Sequence, residues 1–373
     1  GQYVLGPFSM PAQTPHDCRS YPDIARRVVR NYRKTKRDLP WRQRKDAYAI
    51  WISEVMLQQT RIATVIPYFE RWLQSFPTIE SLAQADLDEV LAHWSGLGYY
   101  SRARNIHSCA KEVSLRYGGK MPSTAKELRE LPGIGRYTAG AISSIAYGAR
   151  EALVDGNVAR LLSRVFEIEK NIKSTAAIKE LWEICEKMVP GSAPGDFNQG
   201  LMELGSLVCT PKSPKCTQCP LRSVCGANKN QRTLELPLVS KRQADADKTL
   251  LASEAALLFR RGKLLLGQRR TDGLFGGLWE LPQASQREEL SKLTGLTLQF
   301  THKRAPVVHR QVLSHRRLQI RVWPADASGR TKLAANSPYQ KLGWYSLPAL
   351  SNLGISSATT NILAHRALRS HLD

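Results

Sequence analysis

Acidic residues are scarce in this chain of 373 residues: 32 Asp and Glu stand against 54 Lys and Arg, a formal charge of +22 at pH 7. Such a balance disfavours a surface built to hold cations and favours one that attracts polyanions, because a summed positive field reaches further than any single side chain. The excess is spread over both halves of the chain, so both could face one polyanion such as nucleic acid, with an ordinary soluble basic protein as the alternative reading of the charge alone. Long apolar runs are missing as well. No stretch of eighteen apolar residues occurs, and neither a membrane-spanning helix nor a membrane partner is expected. Gly1 to Pro15 lacks a basic start followed by a long apolar core and is not expected to be a secretory signal, so a reducing, intracellular compartment fits. Residues 1–20 read as a leader, with Gly1 to Ser9 an expression scar ahead of Met10. Cysteine is rare, and its total of seven is odd, which disfavours a disulfide framework.

What cysteine there is stands together. Cys209, Cys216, Cys219 and Cys225 are separated by six, two and five residues, with Pro211, Pro214 and Pro220 shaping the loop. Thiolates bind soft metals, and four on one short loop complete the ligand set of a [4Fe–4S] cluster or a structural zinc. Structural zinc sites usually repeat a Cys-x-x-Cys pair. Here one close pair is flanked by two more distant cysteines, so the spacing favours the cluster.

A chain of this length fits two cores of ordinary size better than one, and its texture changes once. From Tyr21 to about Lys187 apolar residues recur at three- and four-residue spacing, with breaks at Pro40, Pro77, Pro122 and Gly133 and no strand alternation. Thr124 and Glu127 form a capping box for a short helix, which Leu131-Pro132-Gly133-Ile134-Gly135 ends before a second helix over Tyr137 to Ile145. Residues 124–145 therefore read either as a helix-hairpin-helix, whose Gly133 and Gly135 leave backbone N–H groups to hold a phosphate, or as an ordinary interhelical turn. The helical domain is expected over 21–227, with the cysteine loop at 209–225, and residues 228–249 lose apolar periodicity and read as a linker. A mixed α/β domain is expected over 250–373. It contains a hairpin from Ala252 to Gln268 turning at Arg261-Gly262, a strand in which Leu318, Ile320 and Val322 alternate with Gln319 and Arg321, and helices around Gln286 to Leu293 and from Thr359 to Leu372.

Two carboxylates stand out. Tyr48 to Leu57 is apolar except for Ser53 and Glu54. A carboxylate there either reaches water along a stripe with Gln58 and Arg61, or is kept for chemistry, since desolvating it unpaired costs on the order of several kcal/mol. In the second case its pKa is raised and it is poised as a general acid. Asp155, in Leu153-Val154-Asp155-Gly156-Asn157-Val158, precedes a helix opening at about Asn157, where plain N-capping is the alternative to catalysis. One carboxyl group in an apolar setting and one in a polar setting are what glycosidic bond cleavage needs. One protonates the leaving group, and the other stays ionised beside an oxocarbenium-like sugar.

The cysteine spacing, the hairpin Leu131 to Ala139 and Val154-Asp155-Gly156-Asn157-Val158 together resemble the endonuclease III superfamily of base-excision DNA glycosylases. Within it, Ser53-Glu54-Val55-Met56-Leu57-Gln58-Gln59-Thr60 and Gly96-Leu97-Gly98-Tyr99-Tyr100-Ser101-Arg102 resemble the MutY-type adenine DNA glycosylases, over Tyr21 to Cys225 and more loosely beyond. The resemblance implies a monomer acting on duplex DNA that carries adenine opposite 8-oxoguanine or guanine. Glu54 would protonate adenine at N7, and Asp155 would stabilise the cationic sugar with Tyr137 and Asn157 supporting it. Tyr137 stands where bifunctional relatives place a catalytic lysine, so a monofunctional glycosylase without strand cleavage is implied. Trp41, Arg42 and Leu57 would contact the adenine flipped from the stack, while Gln59, Thr60 and Tyr99, with Gln58 beside them, would approach the opposite base and fill the gap. The implied location is cytoplasmic in a bacterium, nuclear or mitochondrial in a eukaryote.

The carboxy-terminal domain resembles the Nudix-like domain that accompanies these glycosylases, with Gly276-Gly277-Leu278-Trp279-Glu280-Leu281-Pro282 in the matching place. A Nudix hydrolase holds magnesium through a paired Glu, and here Lys292 and Leu293 occupy that pair. Pyrophosphate hydrolysis is therefore not expected, nor is magnesium needed for catalysis, and lesion recognition is left. The family reads 8-oxoguanine with a Phe-Ser-His loop; this chain has Leu313-Ser314-His315, which keeps Ser314 and His315 and loses the aromatic. Competing readings are an oxidised-pyrimidine glycosylase with lyase activity, against which Tyr137 speaks, and a non-catalytic iron–sulfur protein that finds mismatches, against which both carboxylates speak.

Overall fold

A computed structural model describes the chain from residue 21 onward, apart from residues 45, 240–248, 301–305, 314, 315, 372 and 373 and the side chains of 369–371. The apolar periodicity becomes helices α1 Tyr21–Thr35, α2 Ala47–Leu57, α3 Ile62–Ser75, α4 Ile79–Gln84, α5 Leu87–Trp94, α6 Ser101–Tyr117, α7 Ala125–Leu128, α8 Arg136–Tyr147, α9 Gly156–Val165, α10 Thr175–Met188, α11 Pro194–Glu203 and α12 Gly226–Lys229. The chain packs as two compact units. One holds the described residues within Gly1–Trp51, Pro122–Glu130 and Ile134–Lys241; the other holds those within Ile52–Met121, Leu131–Gly133 and Arg242–Asp373.

In the first unit, α1 puts Ile24, Ala25, Val28 and Tyr32 on one buried face, as helical spacing dictates. Ile24, Ala25 and Val28 join Leu161, Leu162, Leu181, Phe197 and Leu201 from α9, α10 and α11 in one core. Thr124 caps α7 by accepting the Glu127 N–H at 3.3 Å, but the Glu127 carboxylate accepts from the Thr124 hydroxyl at 2.5 Å and not from its backbone N–H, so only the first half of the expected box forms. The stretch from 228 also corrects its composition. Leu236 is buried, its carbonyl accepts from Arg164 Nε at 2.8 Å, and the Leu238 carbonyl accepts the Ile172 N–H at 2.9 Å. One apolar anchor is too little to register as periodicity, yet it fixes this part of the expected linker on the helices.

In the second unit, α3 and α5 meet through edge-on aromatics, with Trp72 and Trp94 centroids 5.7 Å apart and Trp72 and Phe76 5.0 Å apart. Its later residues form β1 Thr249–Leu257, β2 Phe259–Arg260, β3 Lys263–Arg269, β4 Trp279–Glu280, β5 Gln283–Ala284, α13 Glu289–Thr294, β6 Thr297–Phe300, β7 Val307–Val312, β8 Arg316–Ser328, β9 Tyr339–Ser346 and α14 Ser357–Leu363. The expected hairpin is confined to β2 and β3, where Arg261 and Gly262 both take positive φ, as a tight reversal of twisted strands requires. β1 instead runs parallel to β8 in a second sheet, Leu251 opposite Leu318. The second half of β1, from Glu254, and most of β3 are covered on both faces, one by a core with Ile355, Ala358 and Ile362, the other by a core with Leu290 and Leu293 of α13. Their apolar residues therefore run continuously instead of alternating. The last helix begins two residues earlier than its pattern predicts, because Ser356 accepts the Thr359 N–H at 3.2 Å. It stops at Leu363, and a separate 3₁₀ turn follows at Arg366–His371.

Candidate active site

Asp155 is the N-cap of α9. Its Oδ1 accepts the Val158 N–H at 2.7 Å, and its Oδ2 accepts from Asn157 Nδ2 at 3.1 Å. The capping role is filled, and the same donors that start the helix hold the half-buried side chain in one orientation. Asn157 Oδ1 in turn accepts from Arg160 Nη2 at 2.9 Å, and Arg160 also donates to the carbonyls of Gly205 at 2.6 Å and Cys209 at 2.8 Å. Tyr137, half-buried in the first turn of α8, donates its hydroxyl to Met202 Sδ at 3.1 Å. Trp41 is buried on a 3₁₀ turn that opens at Pro40. Arg42 beside it pairs with Glu203 at 2.9 Å and stacks on Tyr32.

Glu54 lies mid-helix in α2, where residues 48–56 are all buried, and is itself 7% exposed. A solvated stripe is thereby ruled out. Beyond the helix, Leu57, Gln58 and Thr60 are half-buried and Gln59 is exposed; Tyr99, on a second turn, is 47% exposed. Gly133 ends the first half of the hairpin at φ +72°, and a Cβ there would stand 2.6 Å from Asn105 Cβ, so conformation and close approach both demand glycine. Gly135 is the N-cap of α8, with open space where a side chain would be. Leu313 packs half-buried against the carboxy-terminal core, while Ser314 and His315 lie outside the described residues. In the Nudix-like part, Lys292 is exposed and Leu293 belongs to the core.

The four cysteines line one pocket with Arg164 and Arg222. Arg164 Nη1 lies 3.3 Å from Cys209 Sγ, and burial pushes the Cys219 thiol up to about 11 and Cys225 up as well. Sulfurs so buried become thiolates when a cation sits among them, and the donor set and its neighbouring guanidinium fit a metal–sulfur group.

Family models match three stretches: residues 52–187 as an HhH-GPD superfamily base excision DNA repair protein, 209–225 as the iron-sulfur binding domain of endonuclease III, and 254–365 as a NUDIX domain. The chain is 38% identical to the adenine DNA glycosylase of Homo sapiens over 89% of this chain and 71% of that protein. It is 33% identical to that of Buchnera aphidicola subsp. Baizongia pistaciae over 88% of this chain and 92% of that protein. The chain belongs to the adenine DNA glycosylase family. Among solved structures, a thermostable thymine-DNA glycosylase matches with a TM-score of 0.51 at 29% identity, over 56% of this chain and 97% of that one. The helical DNA glycosylase fold, an iron–sulfur binding domain at the cysteine loop and the carboxy-terminal Nudix domain, all expected from the sequence, are therefore found in this family member.

The burial and partners of three charged residues of this glycosylase are not signalled by the sequence, although Arg102 closes the motif Gly96 to Arg102. Glu203 closes α11 and pairs with both Arg37 and Arg42. Arg164 holds the cysteine loop through the carbonyls of Thr210 at 2.8 Å and Pro211 at 3.0 Å. Arg102 donates to the carbonyls of Val55, Gln58, Leu97 and Gly98 at 2.8, 2.7, 3.1 and 3.1 Å. Burial lowers its pKa to about 10, so it stays cationic at neutral pH. Their partners are mainly main-chain carbonyls, which every residue has, or charges distant in sequence, so no local pattern discloses these contacts.

Proposed function

We propose that this glycosylase removes adenine mispaired with 8-oxoguanine or guanine from duplex DNA by hydrolysing its N-glycosidic bond, and that it does so without cleaving the strand. The observation that carries the reading is the contrast between its two carboxyl groups, Glu54 buried in an apolar helix and Asp155 held by a backbone N–H and an amide. In this reading Glu54 is the general acid, and its carboxyl proton goes to adenine N7. The C1′–N9 bond breaks with its electron pair leaving on the base. Adenine departs neutral, and the carboxylate of Asp155 faces the positive charge left on the sugar until water adds at C1′ and loses a proton. Asn157 orients that carboxylate, Tyr137 supplies a hydroxyl where an amine would form a Schiff base, and Gly133 and Gly135 present N–H groups to a phosphate. Trp41, Arg42 and Leu57 each contact the flipped adenine, and Gln58, Gln59, Thr60 and Tyr99 meet the opposite strand. Leu313, Ser314 and His315 meet the opposite base, with a weaker preference for 8-oxoguanine than an aromatic at 313 would give. A [4Fe–4S] cluster on Cys209, Cys216, Cys219 and Cys225 supplies the fold of their loop, whose Lys212, Lys215, Arg222 and Lys229 face phosphates.

The test is single-turnover cleavage of a duplex carrying adenine opposite 8-oxoguanine. Strand breaks that appear only after alkali support the reading. Glu54→Gln is expected to lower the excision rate by about a thousandfold, within the range general acids contribute. Retained activity in that variant sinks the proposed acid, and an enzyme–DNA adduct trapped by borohydride would revive the lyase reading.

A further inference from the structure

The turn after α2 and the turn before α6 carry Gln59 and Tyr99, both non-glycine residues in the left-handed region, at φ 58° and 48°. Non-glycine residues in this region are unfavourable and persist where their surroundings hold them. One side chain reaches both turns. Arg102, 9% exposed, donates Nη1 to the carbonyls of Val55 at 2.8 Å, Met56 at 3.2 Å and Gln58 at 2.7 Å. Its Nη2 donates to the carbonyls of Leu97 and Gly98, each at 3.1 Å, and to Thr60 Oγ1 at 3.4 Å. The guanidinium lies over the Trp94 ring at 5.0 Å and the Tyr99 ring at 5.6 Å, and Trp94 Nε1 donates to the same Gly98 carbonyl at 3.0 Å.

We propose that Arg102 is a positioning residue that clamps the two turns into one preformed DNA-reading element, so that Gln59, Thr60 and Tyr99 are held for the opposite strand before DNA arrives. This rests on the reading that these residues meet DNA. Carbonyls converging on one guanidinium fix both turns at once, because its N–H groups diverge in a rigid plane that no other side chain reproduces. Lysine keeps the charge but offers three donors from a single nitrogen and cannot span both turns. Arg102 touches no reacting atom in this scheme, so its loss acts on recognition before it acts on bond cleavage.

Two measurements on the full iron–sulfur protein test it. In hydrogen exchange without DNA, Arg102→Lys is expected to raise exchange at residues 55–60 and 96–100 together, while α9 and the cysteine loop stay as in the wild type. In binding and single-turnover assays it is expected to weaken affinity for the mispaired duplex by about tenfold or more relative to undamaged duplex. The excision rate at saturating enzyme should stay within about threefold. Trp94→Phe, which removes one donor to Gly98, gives a milder change in the same direction and serves if Arg102→Lys does not fold. Unchanged exchange at the two turns, or exchange raised in only one of them, overturns the clamp. A clamp verified by exchange in a protein that does not excise adenine would instead overturn the functional reading.

Discussion

The cysteine loop and the paired turns at 55–60 and 96–100 are both irregular backbone, and each is tied down by one buried arginine, but they differ in what else the arginine works with. Arg164, 2% exposed, bonds the carbonyls of Thr210, Pro211 and Leu236 and lies against Cys209 Sγ, so it holds a loop that also carries a complete set of metal ligands. Arg102 bonds carbonyls, a hydroxyl and two rings, in turns whose exposed tips are Gln59 and Tyr99. The same physical device serves two ends. In one region the loop is fixed so that its core side survives around a metal group; in the other, strained residues are kept ready at the surface. Loss of the first arginine should therefore be read in stability, and loss of the second in recognition.

The largest expected effect separates them directly. Arg164→Met leaves the buried Leu236 carbonyl and the part-buried carbonyls of Thr210 and Pro211 without their donor, at about 1–3 kcal/mol for a buried group and less for the others, together a sizeable share of a domain's total stability. The melting temperature is expected to fall by about 10 °C or more, with a matching loss of bound iron. Arg102→Met, by contrast, should keep its iron. Calorimetry and an iron assay on both variants check this, and the comparison breaks if Arg164→Met holds its iron while Arg102→Met loses it.

A smaller effect sharpens the same contrast within the cysteine loop. Cys219→Ser should unfold the loop locally and withdraw Lys212, Lys215, Arg222 and Lys229 from phosphates. The plot of log affinity against log salt would then become shallower by roughly one unit per lost phosphate contact. The excision rate at saturating enzyme should change by less than about threefold. If that variant bound DNA with an unaltered salt slope but did not excise, the cysteine loop would have a part in chemistry that its scaffold role does not cover.

The same contrast explains what the sequence discloses. Cysteine is rare and its ligand spacing is local, so the four thiols are legible without a structure, as is Asp155 before a helix start. Glu54 is legible as an anomaly in an apolar helix, although its burial is not. Arg102 and Arg164 escape because their partners are main-chain carbonyls, which every residue has, brought in from positions up to 72 residues away. Glu203 escapes for a related reason, since its partners Arg37 and Arg42 precede it by a large part of the helical domain. In the carboxy-terminal domain the alternation of Leu318, Ile320 and Val322 is legible because only one of their faces is buried. The parallel pairing of β1 with β8 is not, because strands buried on both faces carry no periodic signal and adjacency in sequence favours the hairpin.

Acid should finally loosen the two regions unequally, and this is the smallest of the expected effects. Among the described residues the unit with the cysteine loop contains no histidine, whereas α6, which carries Arg102, also carries His107, 5% exposed with Nε2 2.9 Å from the Ala85 carbonyl. Burial holds its pKa below the ordinary 6.5, and Lys111 adds to that, while the Ala85 carbonyl and Asp86 oppose it. The unfolded chain therefore binds the proton more readily than the folded one. The stability tied to neutral His107 is fully present above about 6.5 and is lost as pH falls below it. Hydrogen exchange corrected for its intrinsic pH dependence should show α4 and α6 opening more readily at pH 5 than at pH 8, with α9 and the cysteine loop less affected. His107→Gln keeps a donor for Ala85 without the titration and should remove most of the difference. An acid response that is equal in both regions, or unchanged in His107→Gln, would place the sensitivity elsewhere and leave only the arginines to set the two regions apart.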